Sequence, residues 1–346
     1  MSLQNLPERY TSRPATMRDA GEAVALFNAC SLELTGERPH DADEQRVEWR
    51  TPGFNMDRDT RAICDSDGAL VGYAEVWDLE DPHVSVRSWG RVHPEHQGLG
   101  IGSALLAWEE QRARRAVPRA PTEARVILRH GALVTDVRTR ELLERNGFEP
   151  VRYFQRMIIE MAELPRDPAW PDGIAVRGFD PEKDLAAAVR FVRDVFSDHW
   201  GHVDSPFEEE LKQWVHWIEE EKGFDPSIWF LAESAEGIAG TSLCWPKRHE
   251  DPDLGWIHIL GVDRGWRRRG LALALLHHSC RGLYGRGKRK VGLAVDAASL
   301  TGANRLSEKA GMKVVRESVT YEKELRPAVD LSRRALDNEG GSDGGE

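Results

Sequence analysis

The chain carries one long segment twice. Val92-His-Pro-Glu-His-Gln-Gly-Leu-Gly-Ile-Gly-Ser-Ala-Leu-Leu106 lines up without a gap on Val262-Asp-Arg-Gly-Trp-Arg-Arg-Arg-Gly-Leu-Ala-Leu-Ala-Leu-Leu276. Val92 matches Val262, Gly100 matches Gly270, Gly102 matches Ala272, and Leu105 and Leu106 match Leu275 and Leu276, each 170 residues on. A second landmark follows each copy: Leu142-Leu-Glu-Arg-Asn-Gly-Phe148 and Leu306-Ser-Glu-Lys-Ala-Gly-Met312. Gly100 to Gly147 is 47 residues and Gly270 to Gly311 is 41, with the extra length placed in the proline-marked loop Val117–Thr122. Solenoid and propeller repeats recur every ~20–50 residues. This period therefore predicts a duplicated whole domain, as does a length of 346 residues.

Three prolines and a glycine in Glu163–Gly173 read as a linker. We expect one domain over 10–165, a second over 173–326, and a disordered acidic, Gly-rich tail over 327–346. The net charge of −11 argues against a nucleic acid held by bulk charge, while leaving room for a local anion pocket. Met1–Thr16 lacks the pattern of a signal peptide, and no apolar run reaches the ~20 residues of a membrane span. Cys30, Cys64, Cys244 and Cys280 form no C-x-x-C pair or metal spacing, so we expect free thiols, no metal and a reducing cytoplasm.

Each copy shows the same order of elements: a short strand, an amphipathic helix, a hairpin, and a strand running into the repeated loop. A helix, a strand, a second helix and a closing strand follow. Runs of strands mixed with alternation predict an α/β fold built on a mixed sheet. Within each loop, backbone N–H groups at a helix N-terminus are unpaired, and the helix dipole favours an anion there. Gly98, Gly100 and Gly102 lack a Cβ, and Arg267, Arg268 and Arg269 add forked donors. The glycine spacing departs from G-x-G-x-x-G, and no Gly-Lys-Ser/Thr completes a Walker A loop.

Gln97-Gly-Leu-Gly-Ile-Gly102 and Arg267-Arg-Arg-Gly-Leu-Ala272 resemble the Q/R-x-x-G-x-G/A signature of the GNAT superfamily of N-acetyltransferases. The likeness covers nearly all of 10–325, as two tandem acyl-CoA N-acyltransferase domains similar in layout to the mycothiol synthases. It implies acetyl-CoA as co-substrate, with its pyrophosphate on the loop amides. The residues implied are Val92, His93, Gln97, Gly98, Leu99, Gly100, Ile101, Gly102 and Ser103, and in the second copy Val262, Asp263, Arg267, Arg268, Arg269, Gly270, Leu271 and Ala272. It further implies direct attack by the amine of a small molecule or peptide, and leaves a homodimer open.

Many family members carry a Tyr in the late helix four residues before its Gly, as the acid for the leaving thiolate. Leu143 and Ser307 stand there, so Ser307 is the candidate, with Tyr153 and Tyr321 as either acids or sheet packing. The strand before the loop often carries a basic-acting Glu; Val86 and Trp256 stand there instead. His258, two residues on, and Glu75 on the first hairpin are the base candidates. Asp198-His-Trp-Gly201 reads as a binding lip or a helix stop. The run Arg112, Arg114, Arg115, Arg119 and Arg125 reads as a solvated helix face or a site for the 3′-phosphate of CoA. We expect the second copy to be the active one. The alternative is a catalytically silent acyl-CoA-binding sensor.

Overall fold

A computed structural model describes residues 3, 6–220, 223–246, 251–299 and 302–333. Among the described residues twelve strands form one mixed sheet. In chain order these are β1 (Thr11–Arg13), β2 (Thr60–Cys64), β3 (Leu70–Trp77), β4 (Ser85–Val92), β5 (Val126–Leu133), β6 (Glu149–Glu160), β7 (Ala175–Gly178), β8 (Trp229–Ser234), β9 (Gly237–Trp245), β10 (Leu254–Val262), β11 (Lys290–Asp296) and β12 (Lys313–Arg326). The helices are α1 (Ala20–Thr35), α2 (Ala42–Glu48), α3 (Met56–Asp59), α4 (Ile101–Ala113), α5 (Val137–Arg145), α6 (Pro181–Phe196), α7 (Phe207–Glu220), α8 (Leu271–Gly285) and α9 (Ala303–Lys309). The short helices α2 and α3, held by Asp41 and Asn55 side-chain caps, were not legible as a period in the sequence.

Strand order is β1-β2-β3-β4-β5-β12-β6-β11-β10-β9-β8-β7, a palindrome in the two halves except that the closing strands are exchanged. β12, the last strand of the second copy, pairs with β5 of the first, Ser318 opposite Leu133 through Arg326 opposite Val126. β6, the last strand of the first copy, pairs with β11 of the second, Phe154 opposite Asp296 through Glu160 opposite Lys290. The cores record the same exchange. Val319, Tyr321 and Leu325 are buried with Leu128, Leu143 and Phe148 of the first half, and Met157 and Met161 with Leu275, Val291 and Met312 of the second. Each such side chain is worth about 1.5–3 kcal/mol when fully buried. The boundary near residue 168 thus divides the sequence but not the sheet, since each half borrows its closing strand from the other.

Each half is a three-layer unit. α4 and α5 cover one face of the first half and α1 with α2 the other; α8 and α9 cover one face of the second and α6 with α7 the other. Asp180 caps α6 through the Glu182 amide, with Pro181 at its first turn, and Ala188, Val189, Val192 and Val195 form its buried stripe. Residues 327–333, which the expected tail included, are tied to the fold. Val329 bridges to Ala124, Asp330 pairs with Arg125, and Arg333 exchanges backbone hydrogen bonds with Gly201 and His202. The rest of that tail, 334–346, lies outside the described residues. No described helix is long and apolar enough to cross a membrane.

Candidate active site

In both halves the strand that leads into the repeated loop parts from its parallel neighbour. β4 pairs with β5 only from Ser85 to Ser88, and β10 with β11 only from Leu254 to Trp256. Beyond those points one edge of each strand is open inside the sheet, up to Val92 and Val262. Such an edge has no ladder partner, although side chains of Arg91, Cys30 and Arg267 reach the Gly90, Val92 and Val262 carbonyls, and it suits a bound extended group.

At the end of each split lies the loop. A turn of 3-10 helix (Pro94–His96 and Arg264–Trp266) is capped by His93 and by Asp263, whose amides donate to Val71 and Ala239 carbonyls. His93 and Asp263 therefore shape the loop through their side chains. The following helices α4 and α8 start at Gly100 and Gly270, both left-handed at φ 87° and 90°, and neither has a side-chain cap. Their first helical amide bonds are Ala104 to Gly100 and Ala274 to Gly270, so the amides of 101–103 and 271–273 stay open for an anion. A Cβ on Gly240 would come within 2.8 Å of Leu275 and 3.3 Å of Leu271, and one on Gly72 within 2.9 Å of Ile101. These two glycines let the helix starts press onto the sheet beside the split. The arrangement fits the pyrophosphate and extended arm of acetyl-CoA in both halves.

The loops differ in their side chains. Gln97 accepts from Arg138 of α5. Arg267 points away from the loop surface, donating to Asp198 Oδ2 at 2.7 Å and to the Val195 carbonyl at 3.2 Å. It anchors the loop, while Arg268 and Arg269 remain exposed. Arg268 sits at φ 63°, the slot that Gly98 fills at 74° in the first loop.

His258 lies at a β-bulge. β10 pairs Ile257 with Cys244 and then Ile259 with Leu243, leaving His258 as the extra residue, just past the last β10–β11 pair. The bulge puts His258 and Ile259 on one face, toward α7, and the imidazole is exposed. Its ring lies 5.0 Å from Trp217 and 5.5 Å from Trp245, which stack on each other at 4.5 Å. β4 has no such bulge; Trp77–Arg87 through Gly72–Val92 run in unbroken register, and Ser88 stands 170 residues before His258.

Glu75 is buried, its carboxylate accepting from Tyr73 at 2.7 Å, Trp77 at 3.0 Å and Trp49 at 3.4 Å. Burial raises its pKa against those three donors. It is locked into packing and faces α1 and α2. Ser307 is buried, and its hydroxyl donates to the Ala303 carbonyl at 3.0 Å, so its proton is spent within α9. Tyr321, carried across by the strand exchange, is buried in the first half between Arg140 and Glu144, and Tyr153 lies exposed beside the end of β11. In Asp198-His-Trp-Gly201, Asp198 holds Arg267 within the second half, while Arg129 and Arg152 of the first half lie over the Trp200 ring at 4.8 and 5.6 Å and join the halves. The arginine run is largely committed as well. Arg112 is buried against Asp59 and Asp78, Arg119 pairs with Asp78, Arg114 with Glu110, and Arg125 with Glu322, Glu324 and Asp330.

One buried polar cluster went unnoticed in the sequence. At the root of the first split, where Ser88 of β4 pairs with His130 of β5, Glu109 of α4 places Oε2 3.6 Å from His130 Nε2. Burial lifts Glu109 to about 8 and drops His130 to about 4, so near neutral pH both are uncharged and the contact is no ion pair. Its signal was an acid in the buried stripe Ile101, Ala104, Leu105, Trp108, Glu109.

Two family models match the chain: the acetyltransferase (GNAT) family over residues 189–312 and the acetyltransferase (GNAT) domain over 58–150. A mycothiol acetyltransferase of Streptomyces scabiei is 31% identical over 263 residues, 74% of this chain and 75% of the relative. The solved structure of a GCN5-related N-acetyltransferase from Sphaerobacter thermophilus superposes with a TM-score of 0.79 at 34% identity, covering 94% of this chain and 99% of that one. A tandem GNAT protein from the clavulanic acid biosynthesis pathway, at 15% identity, shares the fold with a TM-score of 0.68 over 92% of this chain and 100% of its own. With both halves matched and both carrying the split strand and open helix start, this chain belongs to the GNAT family, as a tandem N-acetyltransferase that uses acetyl-CoA.

Proposed function

We propose that the second half carries the chemistry, passing the acetyl group of acetyl-CoA to the amine of a small molecule with His258 as general base. The observation that supports it is the bulge in β10, which falls just past the last β10–β11 pair, turns an exposed imidazole toward Trp217 and Trp245, and has no counterpart in β4. Bulges are enriched beside active sites, where they re-aim a side chain. The aromatic wall of Trp217, Trp245 and Trp256 beside it gives an acceptor an apolar seat with one polar group at its centre.

Acetyl-CoA supplies the acetyl thioester when bound. An alkyl amine is protonated at neutral pH, with a pKa of ~10. His258 takes that proton, the amine nitrogen forms the C–N bond to the acetyl carbonyl carbon, the C–S bond breaks, and the leaving thiolate takes up the second proton that the acetylated nitrogen sheds. The open amides at the start of α8 and the exposed Arg268 and Arg269 hold the pyrophosphate. The first half, with Glu75 locked among Trp49, Tyr73 and Trp77, holds the cofactor and supplies β6 to the second. The relatives named mycothiol acetyltransferase make the amine such an enzyme acetylates the first acceptor to try. Four buried free cysteines suit the cytoplasm.

Thiol release measured across an amine panel tests the assignment. His258→Ala lowers kcat/KM by about 10²-fold or more with acetyl-CoA affinity unchanged. An unaltered rate removes His258 from the reaction.

A further inference from the structure

A cavity of about 120 Å³ opens between α3, β2 and the far end of α4. Four arginines line it, and they fall into two kinds. Arg58 and Arg112 are paired with carboxylates, donating to the buried Asp59 at 2.8 and 2.7 Å, with Asp78 a further partner of Arg112 at 3.4 Å. Arg61 and Arg115 have no carboxylate partner among the described residues. Arg61 is 9% exposed; its Nη1 donates only to the backbone carbonyls of Asp57 and Thr60, at 3.3 and 2.8 Å, and its Nε has no partner. Its guanidinium lies 5.0 Å from the Trp108 ring, which closes one wall. Arg115 is exposed at the rim, beside Gln111. Asp57 is the one acidic residue in the lining, and it is exposed.

A buried guanidinium with no counter-charge and an idle N–H is costly in a folded protein. A second cation at the same cavity adds to that cost, and burial together with the charge of Arg115 pulls the Arg61 pKa down. An anion seated between them removes both penalties. Two guanidiniums offer forked donors suited to tetrahedral oxygens. The 13 residues of α4, at ~1.5 Å each, put the cavity roughly 20 Å from the open helix start at Gly100, at the opposite end of the helix from the acetyl-CoA loop.

We propose that this cavity is an anion site in which Arg61, Arg115 and Gln111 hold a phosphate group, free or carried by a small metabolite. It is independent of the acetyl-transfer assignment. The full chain, saturated with acetyl-CoA so that both loops are filled, is titrated with inorganic phosphate and with glycerol 3-phosphate by calorimetry and thermal unfolding, at ionic strength matched with NaCl. Each phosphate is expected to bind saturably and to raise the unfolding midpoint. Arg115→Ala, at an exposed position, weakens binding at least tenfold, and Arg61→Met, which keeps an apolar stem over Trp108, abolishes it. Tighter binding of the ester identifies a metabolite as the ligand, and equal binding identifies free phosphate. No stabilisation beyond the NaCl control, or equal affinity in wild type and Arg115→Ala, overturns the proposal, whether or not Arg61→Met folds.

Discussion

Arg267 Nη1 donates to Asp198 Oδ2 at 2.7 Å, and that bond ties the second loop to the end of α6. Arg264 approaches the same oxygen at 3.4 Å. Asp198→Ala leaves a half-buried guanidinium unpaired and is expected to cost about 1–3 kcal/mol and to loosen acetyl-CoA binding in the second half. Burial works against ionisation of Asp198, yet the hydrogen bond and charge of Arg267 prevail and hold its carboxyl below the usual range. The stability it contributes is present above the unfolded carboxylate pKa of ~3.9 and fades as pH falls through the lower folded value. Acid titration of wild type and Asp198→Asn, followed by circular dichroism, checks this.

Arg268 holds a left-handed backbone conformation that glycine adopts without strain. Arg268→Gly relieves roughly 1 kcal/mol of backbone strain while raising the entropy of the unfolded chain, so stability should change little. Acetyl-CoA affinity should fall several-fold, with a shallower salt dependence, because an exposed cation leaves the cradle. Calorimetry at two salt concentrations separates the two effects.

Glu109, lifted to about 8, keeps a proton in the folded chain that an unfolded Glu releases above ~4.3. Its contribution to stability therefore declines as pH rises from that value toward about 8. Glu48, lifted to about 7 by burial and the charges of Glu75 and Glu44, adds to the same loss. Glu109→Gln should flatten the alkaline decline and raise the unfolding midpoint at pH 8.5 by about 2–4 °C. Thermal scans from pH 5 to 9 read this directly.

The strand exchange predicts that the halves do not fold separately. A fragment ending at residue 168 lacks β12, leaving the edge of β5 and the core around Leu128 uncovered. It should aggregate or stay unfolded alone, and combine with 169–346 into a complex of full-chain size on co-expression. Size-exclusion chromatography of each fragment and of the pair decides it.

The loops, their flanking strand and helix, and the duplication were legible because each is local. A glycine turn, a helix start and a 170-residue offset all show within short windows of sequence. Pairing partners were not. Nothing in β6 or β12 marks which half each completes, since the alternating pattern fits either neighbour. Arg267 and Arg112 looked like phosphate ligands because charge shows in a sequence and its counter-charge does not. Asp198 lies 69 positions from Arg267, and Asp59 lies 53 from Arg112. The strand that carries His258 is legible in its own residues, but the bulge that turns the ring toward Trp217 depends on a mismatch with β9 that no single strand shows.

The division of labour between the halves is tested most directly by thiol release from acetyl-CoA, with the acceptor that the panel identifies, in Gly100→Glu and Gly270→Glu. Each places a side chain and a negative charge on a left-handed glycine at one helix start. Gly270→Glu should lower kcat/KM by about 10²-fold or more, the scale of losing a key electrostatic contact, and Gly100→Glu should keep most of the wild-type rate. Loss of activity in Gly100→Glu with Gly270→Glu spared would contradict the account and move the chemistry to the first half.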